Sequence, residues 1–309
     1  MERRDFMQKT ALAGASLLAA GATQYTKGAD RLGAADKPFN LFYAMHDGMF
    51  ANHAGAEFTD QIRFAYDMGF RAMEDNGMMG RTPEDQKKIG DTMAALGMHM
   101  GVFVLGFDGW PPQTTLTSGN IAWREKFLNS CKQAVEVAKR CHATWITVVP
   151  GNFERSLPIG YQTANVMESL RQGAAIFEPH GLVMVLEPLS DNPDLFLRHS
   201  DQTFAMCKAV NSPSCKILFD MYHMQRNDGD MIHHIDLAWD EIGYFQIGDN
   251  PGRNEPGTGE VNYRNIFKHI YQKGYKGVLG MEHGIAKPGK EGEQDLIRAY
   301  RQADDFLVN

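Results

Sequence analysis

Short apolar runs rich in valine, isoleucine and phenylalanine alternate with longer amphipathic stretches along most of the chain. Apolar runs of this length predict buried parallel strands, and the stretches between them predict helices. Eight such strand and helix units follow one another. The strands are expected near Asn40–Met45, Phe70–Glu74, Met98–Leu105, Trp145–Val149, Leu182–Glu187, Lys216–Asp220, Tyr244–Ile247 and Gly277–Glu282.

The predicted helix boundaries carry recognisable signals. Gly69, Gly97, Gly181 and Gly274 each stand between a predicted helix and the next strand, as in a left-handed C-cap. Thr82–Asp85 combines an N-cap residue, a proline at the first helical position and early acids. Eight strict alternations close most simply as a single (β/α)8 TIM barrel. A doubly wound open sheet is the alternative, but no glycine-rich phosphate fingerprint follows the first strand.

The first residues predict an export signal ahead of this domain. Arg3 and Arg4 stand in a charged region, and a short apolar run follows from Ala11 to Ala22. This run is too short to cross a bilayer as a helix, and the paired arginines indicate a twin-arginine signal. An ordinary secretory signal or an uncleaved anchor is the alternative. We expect a signal at 1–22, a linker at 23–36 and the barrel at 37–309, in a periplasmic protein without stable membrane insertion after signal removal.

Composition narrows the classes of partner. Hydrophobic residues make up 43% of the 309 residues, which suffices for the core of one barrel. A net charge of −7, without a lysine or arginine cluster after the signal, argues against nucleic acid and for a small substrate. The four cysteines lack metal-binding spacing. A Cys207–Cys215 bridge and assembly into a homo-oligomer are left open.

Four consecutive predicted strands end in polar residues, at the edge of the barrel where the chemistry of this fold is located. They are Glu187, Asp220, Gln246 and Glu282. A single strand-terminal acid is often only a helix cap or an ion-pair partner. Placing three carboxylates together costs free energy unless a cation neutralises them or the carboxyl groups keep their protons through a raised pKa. Oxygen ligands favour one Mg²⁺ or Mn²⁺ ion over zinc.

Two segments resemble the hydroxypyruvate isomerase family, which lies within the xylose-isomerase-like barrels. They are Phe219–Gln225 (FDMYHMQ) and Gln246–Tyr263 (QIGDNPGRNEPGTGEVNY). The resemblance is dense between positions 187 and 282 and looser over the rest of the barrel. It implies that the metal ligands are Glu187, Asp220, Gln246 and Glu282, and that Glu187 and Glu282 are the catalytic pair.

The implied reaction is isomerisation of a small hydroxy-carbonyl or sugar substrate, in which a proton moves between adjacent carbons through an enediol. Glu187 and Glu282 are expected to face one another across the predicted mouth. Which of the two abstracts the proton is left open. The alternative is that both act only as metal ligands. His223 is expected to donate to a substrate oxygen. Arg253 is expected to hold a substrate carboxylate, with Glu255 orienting it. The alternatives are that His223 is a surface histidine and that Arg253 and Glu255 form a solvated ion pair.

Departures from the family pattern leave the substrate open. Glu282–Pro288 (EHGIAKP) replaces the expected Glu-Tyr-Lys-Pro pattern, and the third strand end lacks an expected histidine. A ketose 3-epimerase, which carries a histidine where this chain has Gln246, and a non-catalytic sugar-binding barrel remain alternatives. An abasic-site endonuclease would need a histidine-rich zinc site and a basic face, and neither is visible. His46 and Glu74, at the ends of the first two strands, are weaker pocket candidates.

Overall fold

The computed structural model describes residues 36–110 and 112–307 of the protein. The predicted export signal and all but the last residue of the predicted linker lie outside these ranges, and both stay predictions. Among the helices of the described part, none combines the length and the apolar character needed to cross a membrane.

Within these two ranges, nine parallel strands form one curled sheet around the centre of the molecule. They are β1 (Phe42–Met45), β2 (Ala72–Met73), β3 (His99–Met100), β4 (Phe103–Val104), β5 (Trp145–Val148), β6 (Val183–Leu186), β7 (Cys215–Asp220), β8 (Ile242–Gln246) and β9 (Val278–Gly280). Their order is β3-β2-β1-β9-β8-β7-β6-β5-β4. Except where the sheet closes, each strand therefore lies beside its neighbours in sequence, with β9 returning to pair with β1.

The two outermost strands, β3 and β4, belong to one chain segment. The Gly101 amide donates to Met73 O at 2.6 Å, and the Leu105 amide donates to Thr147 O at 2.9 Å. One segment therefore bridges both sides of the sheet, which closes it as the predicted (β/α)8 barrel.

The prediction of a single continuous third strand was wrong, because the segment is interrupted between β3 and β4. The interruption begins at Gly101, which faces the barrel interior. A Cβ there would meet the Tyr244 hydroxyl oxygen at 2.3 Å and Glu74 Cβ at 3.0 Å. Only glycine leaves room for these two inward-pointing side chains.

Ten helices of the described residues surround the strands. They are α1 (Ala51–Ala54), α2 (Phe58–Asp67), α3 (Pro83–Leu96), α4 (Ile121–Cys141), α5 (Ile159–Phe177), α6 (Ser200–Val210), α7 (Met221–Asn227), α8 (Met231–Ala238), α9 (Tyr263–Gln272) and α10 (Gly289–Asp304). Helix α3 confirms both boundary signals. The Thr82 side chain accepts from the Asp85 amide, and Gly97 closes the helix with a φ of 65°.

Apolar residues form two buried layers. The larger cluster lies between the sheet and the helices, where Phe127 and Phe177 are fully buried. A smaller cluster fills the inside of the barrel and includes Val185, Leu218 and Tyr244. The barrel is therefore a packed core, and its polar mouth is the place for chemistry.

The four cysteines are free thiols and all are buried. Cys131 and Cys141 both lie on α4, as their spacing predicts. Burial raises the pKa of the Cys131 thiol to about 12 and that of Cys141 to about 11, which keeps both thiols protonated at neutral pH.

Candidate active site at the carboxyl ends of the strands

The turn from β7 into α7 builds the first part of the site. Asp220 is the N-cap of α7, and its Oδ1 accepts from the Tyr222 amide at 2.8 Å. The cap leaves Oδ2 for other contacts. His223, three residues further on, lies on the same side of this first helical turn, and its Nε2 is 3.3 Å from Asp220 Oδ2. The short Asp-x-x-His spacing thus brings both buried side chains together.

Glu187 approaches this pair from the neighbouring strand. It stands one residue beyond β6, only 3% exposed, and its Oε1 lies 3.8 Å from His223 Nε2. Glu187, Asp220 and His223 each offer one possible metal-ligand atom, and these atoms all lie within 4.8 Å of one another. His223, expected as a substrate-binding residue, therefore lies inside the acidic cluster.

The ring orientation of His223 is set from its other nitrogen. The Ser190 backbone amide donates to Nδ1 at 3.1 Å, and Ser190 Oγ lies 2.8 Å from the same atom. A backbone N–H can only donate, so Nδ1 accepts and the neutral ring carries its proton on Nε2. Nε2 therefore presents an N–H toward the two carboxylates, which suits donation to an oxygen.

The loop after β8 positions Arg253. Asp249 organises this loop, because its side chain accepts from the Gly257 and Gly259 amides at 2.8 Å and from Val261 at 3.1 Å. The Arg253 amide donates to Asp249 O at 2.7 Å, and Arg253 itself adopts a left-handed φ of 51°. Non-glycine residues seldom adopt this conformation, so the loop constrains the arginine closely.

Arg253 brings Glu282 into contact with the cluster. Its Nη2 atom donates to Asp220 Oδ2 at 3.0 Å and to Glu282 Oε2 at 2.8 Å, and its Nε donates to Glu282 O at 3.1 Å. The guanidinium also stacks on Tyr222, 4.7 Å from the ring centroid. Glu282 Oε1 accepts from Asn76 Nδ2 at 3.0 Å. Asp220 and Glu282 therefore bind the same guanidinium nitrogen.

Gln246 completes the predicted set. It is the last residue of β8, pairs with Asp220 on β7 and with Gly280 on β9, and is 1% exposed. Its Nε2 lies 3.3 and 3.4 Å from the two carboxylate oxygens of Glu74. Its Oε1 is buried and has no hydrogen-bond partner within the described residues.

Burial dominates the electrostatics of the site. It raises the pKa of Asp220 to about 7, an effect that Glu282 reinforces and Arg253 opposes. Burial also raises the pKa of Glu74 well above its ordinary value, with Glu282 adding to the increase. For Arg253 burial lowers the pKa, but the carboxylates of Glu282 and Asp220 outweigh it and the net shift is upward. Burial and the neighbouring carboxylates therefore disfavour the ionised forms of Asp220 and Glu74, and Arg253 opposes this for Asp220 only in part.

Two other predicted residues make different contacts. Glu255 Oε2 accepts from the Ala286 amide at 2.9 Å, which ties the loop after β8 to the loop after β9. The Nε2 atom of His46 lies 3.2 Å from His283 O. Orientation of Arg253 by Glu255 stays a prediction, since the contact seen for the Glu255 carboxylate is to backbone.

Asn76 and Ser190 were not foreseen. Both lie within three residues of a residue that ends a predicted strand, Glu74 and Glu187 respectively. The rule that selects strand-terminal acids would have found them if it had been extended to polar residues in the following loops. It would also have included many loop residues without a role.

Residues 62–303 match the model of a family described as xylose isomerase-like TIM barrel. The chain belongs to this family. The match spans every strand from β2 to β9 and all of the site except His46.

Among named relatives of this TIM-barrel protein is hydroxypyruvate isomerase of Escherichia coli (strain K12), 32% identical over 165 residues, or 52% of this chain and 62% of that protein. The chain thus spans less than two thirds of that relative. The 2-oxo-tetronate isomerase of Cupriavidus necator is 27% identical over 76% of this chain and 89% of its own. A solved structure of 3-keto-D-glucoside 4-epimerase from E. coli, 19% identical, covers 85% and 99% with a TM-score of 0.70, which shows a shared fold.

The residues of this family member fit a divalent cation. Glu187, Asp220 and His223 bring possible ligand atoms within 4.8 Å of one another, Arg253 joins Glu282 to Asp220, and the buried Gln246 Oε1 needs a positive or donor group opposite it. Mg²⁺ and Mn²⁺ take oxygen ligands of this kind.

Proposed function

We propose that this protein is a divalent-metal-dependent isomerase that moves a proton between adjacent carbons of a small hydroxy-carbonyl compound, as in the conversion of hydroxypyruvate to tartronate semialdehyde. One observation carries the proposal. Possible ligand atoms of Glu187, Asp220 and His223 lie within 4.8 Å of one another, Arg253 joins Asp220 to Glu282, and Gln246 pairs with Asp220 in the sheet. The named isomerases among the relatives support the reaction class.

The four predicted ligands, Glu187, Asp220, Gln246 and Glu282, would hold Mg²⁺ or Mn²⁺. When bound, such an ion polarises the neighbouring oxygens of the substrate and stabilises the negative charge that develops on them. The carboxylates would supply the negative charge that holds the ion, and burial keeps the oxygens of Glu187 and Asp220 away from bulk water.

Glu187 and Glu282 would handle the proton. Glu187 follows β6 and Glu282 follows β9, so the two carboxylates approach the cavity from strands three apart. One carboxylate removes a proton from carbon, and another group returns a proton to the adjacent carbon. The Nε2–H of His223 donates to a substrate oxygen and so helps to hold the enediol form.

Arg253 supports a substrate that carries a carboxylate. Hydroxypyruvate and 2-oxo-tetronate, which give two relatives their names, are both 2-oxo acids. The Arg253 guanidinium donates to Asp220 and Glu282, and a substrate carboxylate would take over these hydrogen bonds. A guanidinium binds a carboxylate through two parallel hydrogen bonds, so Arg253 would select acids over neutral sugars.

A ketose 3-epimerase is the second candidate. Removal and return of a proton at one carbon also needs two groups on opposite sides of the substrate, and the predicted pair Glu187 and Glu282 would supply them. Such epimerases carry a histidine where this chain has Gln246, which makes the epimerase the less favoured candidate.

The test combines chelation with solvent exchange. Purified protein is stripped of metal, reloaded with Mg²⁺ or Mn²⁺ in deuterated water, and offered hydroxypyruvate, 2-oxo-tetronate and neutral ketoses. We expect activity and deuterium incorporation only with metal, and for the two acids above the ketoses. Turnover by rigorously metal-free protein would refute the proposal. Deuterium exchange with ketoses alone would favour the epimerase. Binding of a substrate without exchange would favour a sugar-binding barrel.

A further inference from the structure

The barrel interior holds a carboxylate that the proposed mechanism does not use. Glu74 follows β2, is 2% exposed, and accepts from the Tyr244 hydroxyl at 2.9 Å. Its two oxygens also lie 3.3 and 3.4 Å from Gln246 Nε2. A Cβ at Gly280 would meet Glu74 Oε2 at 1.9 Å, so the glycine makes the space in which this carboxylate lies.

The contacts of Glu74 determine how the Gln246 amide is turned. Gln246 Nε2 lies toward both Glu74 oxygens, and one of these oxygens also accepts from the Tyr244 hydroxyl, so the NH₂ side of the amide faces Glu74. The carbonyl oxygen Oε1 then points the other way. It is buried, and no donor among residues 36–110 and 112–307 satisfies it.

Strand pairing places the Gln246 side chain on the same face of the sheet as Asp220. Gln246 pairs directly with Asp220, and paired residues of parallel strands project their side chains to the same face. A buried acceptor without a partner is unfavourable, and a cation among the neighbouring carboxylates would satisfy it.

We propose that Glu74 is a positioning residue, which orients Gln246 so that its carbonyl oxygen rather than its amide nitrogen faces the metal site. This inference rests on the proposed function. The amide nitrogen acts only as a donor and does not ligate a cation, so a flipped Gln246 would remove one oxygen from the ligand set. Glu74 would thereby determine affinity for a hard cation without touching it.

The experiment measures the Mn²⁺ dissociation constant from the electron paramagnetic resonance of free Mn²⁺, and so needs no turnover. Glu74→Gln replaces an acceptor with an amide that donates as well as accepts, so Gln246 loses its preferred orientation. We expect Mn²⁺ to bind about 10- to 100-fold more weakly. Loss of a negative charge alone could also weaken binding, so a double-mutant cycle is required.

Gln246→Leu completes the cycle, because it removes the amide on which Glu74 acts. In that background Glu74→Gln should change the dissociation constant by less than about twofold. Glu74→Asp keeps the acidic group but withdraws it from Gln246, and we expect it to weaken Mn²⁺ binding as well. It also keeps the test open if Glu74→Gln fails to fold, which thermal unfolding would reveal. Tyr244→Phe is the matched control, since it removes a bond to Glu74 but leaves the contact with Gln246.

The outcomes separate this inference from the proposed function. If the parent protein does not bind Mn²⁺, the proposed function and the inference both fail. If the parent binds Mn²⁺ and Glu74→Gln binds it equally well, only the inference fails. An equal loss from Glu74→Gln in the parent and in the Gln246→Leu variant would assign the effect of Glu74 to charge, and would also overturn the positioning role.

Discussion

At the scale of single residues, two site side chains use one polar atom for a local contact and another for the cluster. Asp220 uses Oδ1 to cap α7 and Oδ2 to contact His223 and Arg253. His223 uses Nδ1 to accept from Ser190, and its Nε2 lies near Asp220 and Glu187. Such preorganisation matters, because a displaced catalytic group loses much of its contribution to the rate.

Glu187→Gln and Glu282→Gln distinguish ligation of the metal from transfer of the proton. Each substitution keeps a carbonyl oxygen that can ligate but removes the basic carboxylate. We expect Mn²⁺ binding to survive in part, while kcat falls about 10²–10⁴-fold in at least one variant. Rates and Mn²⁺ dissociation constants are measured on the same preparations.

Deuterium exchange then assigns the two roles. Solvent deuterium should still enter the substrate if only the returning group is lost, and it should not enter if the abstracting base is lost. Glu178→Gln, an exposed acid that precedes β6 at the other end of the barrel, is the matched control and should keep the parent rate. Parental kcat in both metal-loaded variants would show that a different pair moves the proton.

At the scale of elements, the connection after β9 depends on a buried histidine. His283 is 3% exposed, its Nδ1 donates to Gly284 O, and its Nε2 accepts from the Tyr300 hydroxyl of α10, each at 2.7 Å. Both nitrogens are therefore used by a neutral ring. Burial lowers the pKa of His283 from 6.5 to about 3. Because β9 leads to Glu282, this histidine links the site to the last helix.

The stability of the protein should depend on pH through His283. As pH falls from 6.5 toward 3, the unfolded chain binds a proton that the folded protein excludes, so the free energy of unfolding decreases. The contribution of His283 is fully present above pH 6.5. Each pH unit below it costs about 1.4 kcal/mol, or about 2 kcal/mol at pH 5.

His283→Gln should make this dependence shallower, even if it lowers stability at pH 7. Urea unfolding between pH 4.5 and 7 measures the slope for the parent and the variant. His233→Gln, on an exposed position of α8, serves as the control. Parallel slopes for the parent and His283→Gln would mean that the ring titrates alike in the folded and unfolded chain.

At the scale of the whole molecule, the fold places all site residues at one edge. The strands are parallel, so their carboxyl ends lie on the same side of the barrel, and the loops after β6, β7, β8 and β9 converge there. The opposite end carries the helix-to-strand turns, such as Gly97.

Export is the prediction that concerns the chain as a whole. If 1–22 is a twin-arginine signal, the full-length chain expressed in a Gram-negative host should appear in the periplasm in a shortened form. Replacing Arg3 and Arg4 together by lysine should retain the precursor in the cytoplasm. Arg63→Lys, an exposed position of α2, is the matched control. Cell fractionation with immunodetection reads the result, and unchanged export of the double variant would exclude this route.

The sequence by itself determined the succession of strands and helices, because burial imposes its periodicity on local composition, and the strand-terminal acids followed from it. It also carried the resemblance that selected Glu187, Asp220, Gln246 and Glu282. Only the tertiary structure decided the contacts across the barrel. The pairing of Glu74 with Gln246 joins positions 172 residues apart, and the interruption at Gly101 depends on Tyr244, far along the chain. No local pattern encodes such distances, since they arise when closure of the sheet brings separate strands face to face.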